Sequence, residues 1–255
     1  MSSRDMSKES TTDNGSQDEE VAPVPTKRRI MRGKPEVFDK IAFNVLSYLE
    51  TFDEVGDIEF AGPEGSATAC NLWDSKHAPH TLPYDVKGFA SLFNGVSLKW
   101  CVDMGTTSVP VGEININKVD AMVEVELSGQ FMKPSDDGRD SKMALPDPLN
   151  TVGYEIAKVS DGIVAMLFTV KIAQEKEKPC EIWFKDEPSS TWYYICDTFT
   201  QYVRLCILHL GIYGWQKIFT PEGISITSRQ WMGMFCRERL CVYQHHHHNA
   251  SKSKR

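Results

Sequence analysis

The sequence of 255 residues predicts one α+β domain over residues 35–240, an antiparallel-rich sheet with flanking helices, and disordered termini. Three observations lead there. Apolar residues recur at helical spacing towards both ends of that span and alternate at strand spacing between them. Asp161-Gly162 separates two apolar runs in the manner of a tight hairpin. Residues 1–26 are Ser, Thr, Asp, Glu, Gly and Pro with almost no large apolar side chains, so they cannot bury enough surface to offset the entropy of ordering.

Pro35 suits a first helical position, and Val37, Phe38, Ile41, Ala42, Val45, Leu46 and Leu49 follow at helical spacing, which predicts a helix to about Phe52. Gly56, Gly62, Pro63 and Gly65 break the chain around a short strand at Ile58–Phe60, and a second strand is expected at Thr68–Trp73. Thr81-Leu82-Pro83 opens a helix with Val86, Phe89, Ala90 and Phe93 on one face, and Asn94-Gly95 closes it. Val96, Leu98, Trp100 and Val102 alternate as a strand should, and a further strand starts at Pro110–Ile114.

Residues 128–150 combine three Pro, two Gly and many charges and read as a surface insertion outside the fold. Strands resume at Tyr154–Val159 and Ile163–Val170, then at Glu181–Lys185 and Thr191–Ile195. Asp197 is the expected N-cap of a helix to about Leu210, with Val203, Cys206, Ile207 and Leu210 inward. Gly211 and Gly214 bracket a turn, Trp215–Phe219 is a short helix, and Thr227 or Ser228 is expected to cap a last helix through Phe235. Residues 241–255 return to low complexity.

Hydrophobic content of 41% and charged content of 25% are ordinary for a globular protein. The apolar run at 205–212 is interrupted by His209 and falls far short of the roughly 20 residues a membrane helix needs. The opening MSSRDMSKES has no apolar stretch, so no secretory signal is expected. Seven Cys without a CxxC pair read as reduced core thiols of a cytosolic protein. Charge is uneven. Residues 37–244 are strongly acidic, with 18 basic and 28 acidic groups, and nucleic acid is not an expected partner. Attraction to a polyanion would come from the ends, above all from KRRIMRGK at 27–34, where Lys27, Arg28, Arg29 and Arg32 are candidate contacts with an acidic surface. The plainer reading of that run is a solvated basic linker.

No residue pattern carries catalysis or a cofactor. The four His at 245–248 sit in a tail with nothing to orient their rings. His77 and His80 are half a metal site at best, and the acidic run 136–140 lacks the ligand spacing of a calcium loop. Cys206 and His209 have the residue types of a nucleophile and base, yet Cys206 lies on the inward stripe of its helix and reads as a structural thiol. No phosphate-cradling or nucleophile-elbow glycine motif occurs. The aromatics are the richer signal. Four of the six Trp fall within residues 181–231. Most should be core, while Tyr193, Tyr213, Trp215 and Tyr243 are the expected contact residues for a partner, because each carries a polar tip or stands beside a turn or the chain end.

Two groups of motifs carry a family resemblance. Leu82-Pro83, Phe89, Phe93-Asn94-Gly95, Trp100 and Pro110-Val111-Gly112 resemble the pattern of the SMI/KNR superfamily, with Asn94 where that pattern usually has Asp. EIWF (181–184), Trp192-Tyr193, DTFTQYVRL (197–205), HLG (209–211), WQ (215–216), FT (219–220), GIS (223–225) and Gln230-Trp231 resemble the family of subunit 2 of the tubulin polyglutamylase complex. The resemblance implies a non-catalytic scaffold or targeting subunit with no cofactor, no nucleic acid and no membrane. Its implied partners are a tubulin-tyrosine-ligase-like catalytic subunit, the other complex subunits and tubulin or microtubules. The implied setting is the cytoplasm and cytoskeleton, including centriolar satellites and cilia. The alternative reading is a generic SMI/KNR-like interaction adaptor unrelated to tubulin. An enzyme using Cys206 or the His residues is a third.

Overall fold

The computed structural model describes residues 27–134, 140–143, 150–169 and 180–241. It is α+β, built on two mixed and mostly antiparallel sheets. The first is formed by β1 (Arg29–Gly33), β2 (Val55–Gly62), β3 (Val96–Asp103) and β4 (Ser108–Ile116), in that order. Only the β1–β2 pair is parallel. In β3 burial alternates residue by residue, so Val96, Leu98, Trp100 and Val102 face the core while Lys99 faces out.

Two helices, α1 (Pro35–Ile41) and α2 (Val45–Glu50), connect β1 to β2, where one continuous helix was expected. The break has a local cause. Phe43 and Asn44 both adopt positive φ, and the Asp39 carboxylate accepts the amides of Leu46 (2.7 Å) and Ser47 (3.3 Å), so it serves the first turn of α2 rather than its own helix. Thr68–Trp73, expected as a strand, lies in α3 (Ala67–Lys76) because the Ser66 hydroxyl accepts the Ala69 amide and caps a helix there. Then α4 (Tyr84–Leu92) leads to Gly95 at φ +88° and into β3.

The second sheet has the order β5 (Glu124–Val125), β8 (Thr151–Val159), β9 (Gly162–Thr169), β10 (Glu181–Asp186), β11 (Thr191–Cys196), β6 (Gln130–Pro134) and β7 (Asp140–Met143). The expected hairpin forms, with its turn at Ser160-Asp161 rather than Asp161-Gly162, so that Gly162 pairs with Val159 as the first residue of β9. The near-continuous apolar run of β9 marks a central strand buried on both faces. One face, with Ile156, Met166, Ile182, Phe184 and Ile195, joins the main core shared with the first sheet. The other carries a second cluster of Phe131, Ala165, Leu167, Trp183 and Trp192.

Two expectations about boundaries need correction. Residues 128–150 are not wholly outside the fold, because β6 adds parallel to β11, and Phe131 stacks on Trp192 (5.8 Å, 5°) and meets Trp183 edge-on. The Trp192 indole N–H donates to the Ser128 carbonyl (3.0 Å), which holds the incoming chain. One Phe among prolines and charges was too small a signal to read as a strand. Likewise Arg29–Gly33 of the expected tail is β1, an edge strand. The calcium-loop candidate at 136–140, apart from the backbone of Asp140 in β7, lies outside the described residues, as do the four His of the tail.

After β11, α5 (Phe199–Leu208) begins one residue later than expected, with Thr198 rather than Asp197 as its cap. The Thr198 hydroxyl accepts the Gln201 amide while the Gln201 side chain accepts the Asp197 amide. A 3-10 turn at Trp215–Phe219 matches expectation. The helix expected through Phe235, α6 (Ile226–Phe235), is capped by Ser225, upstream of the expected Thr227 or Ser228. Trp183 and Phe199 are both buried, as expected of core residues. Truncating Trp183 to Ala opens the centre of the second cluster and should lower unfolding free energy by about 3–5 kcal/mol. Urea denaturation is the measurement, and a variant that unfolds at the parent midpoint would remove Trp183 from the core.

Candidate functional site

The aromatic motifs of residues 197–231 converge on β4. The Trp100 indole N–H donates to the Leu210 carbonyl at 2.8 Å, fully buried. The Glu113 amide donates to Gly211 (2.8 Å) and the Tyr213 amide to Val111 (3.1 Å), so the turn after α5 is bridged to β4 in antiparallel sense at Gly112 and Ile212. Gly112 makes this approach possible, since a Cβ there would overlap the Trp100 ring and stand 2.7 Å from the Leu210 carbonyl oxygen. Gly211, at φ +62°, is as tightly set against Glu113.

Trp215 is 1% exposed, no more than Trp183, which corrects its assignment as an exposed contact. Its ring stacks on His209 (4.8 Å, 7°) and lies against Tyr202 and Phe219. Glycine on one side and a turn on the other gave an impression of surface, but the turn folds inward onto β4. Tyr193 is also buried. Tyr213 is half-buried, its carbonyl accepts the Ser228 hydroxyl (2.7 Å), and burial together with the Glu113 carboxylate raises its phenol pKa. It borders an open cleft of about 470 Å³ with Pro110, Asp161, Lys217, Glu222 and Trp231. Tyr243 lies outside the described residues.

The basic segment is placed far from Tyr213 in sequence and is less available than its composition promised. Lys27 pairs with Asp53 (3.9 Å), Arg29 with Glu50 (3.4 Å) and Lys34 with Glu64 (3.1 Å). Among the described residues, Arg28, just before β1, and Arg32, within it, are left without an ion pair, and both are exposed.

Several buried thiols and the His209 imidazole are held in their neutral forms. Burial pushes Cys206 up to about 12, and the same cause acts on Cys196 and Cys236. Cys206 is thus a protonated core thiol at neutral pH. Burial depresses His209 to about 4, although its hydrogen bond to the Leu205 carbonyl (2.8 Å) works the other way. His77 stacks on Trp73, and its Nδ1 lies 2.8 Å from the Trp73 carbonyl. Among the described residues no group of three or more His, Cys, Asp or Glu could hold a metal ion. None of their helices is long and apolar enough to cross a membrane.

Two features had no usable sequence signal. Asp186, on β10, is buried and ion-paired to Lys217 of the 3-10 turn, thirty-one residues away. Burial pushes its carboxyl upward, but Lys217 and the Ser189 hydrogen bonds prevail and hold it below the usual aspartate value. The other is a second cavity of about 170 Å³ where α1, α4 and α5 meet, bordered by Phe43 and Arg204.

Comparison with known proteins bears on the family. The chain is 28% identical to tubulin polyglutamylase complex subunit 2 of Rattus norvegicus, over 85% of this chain and 76% of that protein. It is 26% identical to the protein of the same name from Mus musculus, over 81% and 74%, and 26% identical to that of Homo sapiens, over 79% and 71%. The similarity to proteins of that name thus extends over about four-fifths of this chain. No family model and no solved structure matches it. The aromatic turn built on Trp100, Gly112 and Trp215 falls within a chain similar to these relatives over about four-fifths of its length, and it is structural in character.

The His209–Trp215 stack has a pH signature. Below the unfolded imidazole value of about 6.5 the unfolded chain binds a proton that the folded chain refuses until about pH 4. Stability should therefore fall as pH drops through that window, by about 3 kcal/mol from this residue, and level off below it. Urea midpoints of the parent and His209→Phe at pH 7, 5.5 and 4 check this. The variant should lose that part of the slope, and identical slopes would mean that His209 protonates freely in the folded state.

Proposed function

We propose that the chain is a non-catalytic subunit of a tubulin polyglutamylase complex and acts by binding the other subunits. The single observation that carries this reading is the similarity to three proteins named for that complex, over about four-fifths of this chain. The chemistry of the chain agrees with it. Joining glutamate to an acidic acceptor needs a cradle for ATP phosphates and a basic site for the acceptor, while the span 37–244 is net acidic and its buried thiol and imidazole are neutral. In this reading a ligase-like partner supplies catalysis, and the chain works in the cytoplasm on the microtubule cytoskeleton, at centriolar satellites and in cilia.

Within this reading Tyr213 and the chain near Tyr243 are contact points for partners, and Arg28 and Arg32 are the cations of 27–34 left to meet an acidic surface. Two measurements test it. The chain, purified from ciliated cells, should bring down a ligase-like enzyme, and by itself it should add no glutamate to tubulin. Activity of the isolated chain would contradict the reading. Microtubule co-sedimentation of the full chain should be salt-sensitive, since charges farther apart than about 8 Å are screened at physiological ionic strength. The Arg28→Glu/Arg32→Glu variant should pellet less, and equal pelleting would leave β1 as a structural edge only.

A further inference from the structure

Phe43 combines two costly features. It is 64% exposed, and its φ of +53° lies in the left-handed region that a bulky side chain rarely adopts. Asn44 follows at φ +58°, and the corner is held by the Asp39 carboxylate and by the Asn44 amide donating to the Asp39 carbonyl (2.7 Å). The fold thus holds a strained backbone that presents a Phe to solvent, the kind of strain that persists where the surroundings impose it.

Beside Phe43 opens the cavity of about 170 Å³, walled by Phe38, Ile41, Phe89, Phe199, Val203 and Ile207. That volume suits one bulky apolar side chain. Two charged groups stand at it. Asp85 is already engaged, accepting the amides of Val86 (3.0 Å) and of Thr200 (2.8 Å) in the first turn of α5. Arg204 is exposed, and no carboxylate pairs with it among the described residues. The groove is therefore apolar with two charges on its rim, the Asp85 carboxylate held by the backbone amides of Val86 and Thr200, and the Arg204 guanidinium, which has no carboxylate partner among the described residues.

We propose that this groove docks a segment of a partner protein that offers a bulky apolar side chain followed by a carboxylate, the first filling the cavity and the second pairing with Arg204. The proposal rests on the reading of the chain as a subunit of a complex. A second copy of this chain is a poorer occupant. It would bring Phe43 as the apolar knob, but the adjacent carboxylate, Asp39, is engaged by the amides of Leu46 and Ser47. The groove uses the helix-lined apolar recess and flanking charge by which many short segments are recognised.

Two arms test it. In the first, the full chain is titrated with 1-anilinonaphthalene-8-sulfonate, an apolar anion, and with neutral N-phenyl-1-naphthylamine, followed by probe fluorescence. The anion should bind about two- to fivefold more tightly, the range of an exposed ion pair. Arg204→Gln should abolish that preference, and Val203→Glu should weaken both probes at least about tenfold. Equal affinity for the two probes in the parent, or a preference that survives Arg204→Gln, overturns the proposal. Circular dichroism verifies that Arg204→Gln, a change at an exposed site, keeps its fold. In the second arm, Arg204→Glu and Val203→Glu chains are co-expressed with the complex subunits and should co-purify with less of them than the parent does. Unchanged co-purification of both variants overturns the proposal. A parent chain that assembles with none of the subunits refutes the complex reading instead, and the probe titrations then decide the groove.

Discussion

The hydrogen bond from the Trp100 indole to the Leu210 carbonyl, and the bare Gly112 that lets it form, tie the two parts of this chain together. Trp100 belongs to the first sheet, and Leu210 to the turn that follows the large sheet and α5. The bond stands beside two main-chain bonds, from Glu113 to Gly211 and from Tyr213 to Val111. A buried carbonyl left without its donor costs about 1–3 kcal/mol, so the contact is selective as well as stabilising. Phe235 continues the link. It packs edge-on against Trp100 (5.0 Å) and Phe52 (5.0 Å), and its carbonyl accepts the Tyr48 hydroxyl (2.8 Å), which seats α6 on the helices of the first sheet. A second link is the Asn117 amide donating to Ile156, where β4 hands over to β8.

With this junction in place, the aromatic density of residues 181–231 has a structural account. Trp183 and Trp192 fill the far face of the large sheet, Trp215 fills the turn against His209, and Trp231 lies against Phe235. These rings make the platform. What the platform presents is modest: half-buried Tyr213 over one cleft, and Phe43 with Arg204 over the other. The role through partners proposed above calls for such a division between rings that order the fold and a few groups that meet another surface.

Much of the fold was legible in the sequence because its signals are local. The alternation of β3, the turn signal at Asp161-Gly162 and the apolar run of β9 each fix an element within ten residues. Thr68–Trp73 misled because a strand-like composition does not reveal that Ser66 caps a helix. The break at Phe43 was hidden because the residue that causes it, Asp39, looks like an ordinary exposed acid on a helix. Arg29 and Trp215 show the same limit for the candidate site. The sequence shows charge and aromaticity, but whether a cation is already paired, as Arg29 is with Glu50, or a ring already stacked, as Trp215 is on His209, depends on residues brought together only by folding.

The central claim is that the Trp100–Gly112–Leu210 junction makes the two sheets one cooperative unit. Hydrogen exchange by mass spectrometry on the full chain and on Gly112→Ala tests it most directly. The account predicts that peptides from β2–β3 and from β9–β10 open with the same free energy in the parent. In the variant both should lose protection together, by about 1–3 kcal/mol or more, as overpacking at a closed contact costs. Protection unchanged in the variant, or lost from β2–β3 alone while 181–231 stays as in the parent, would contradict it.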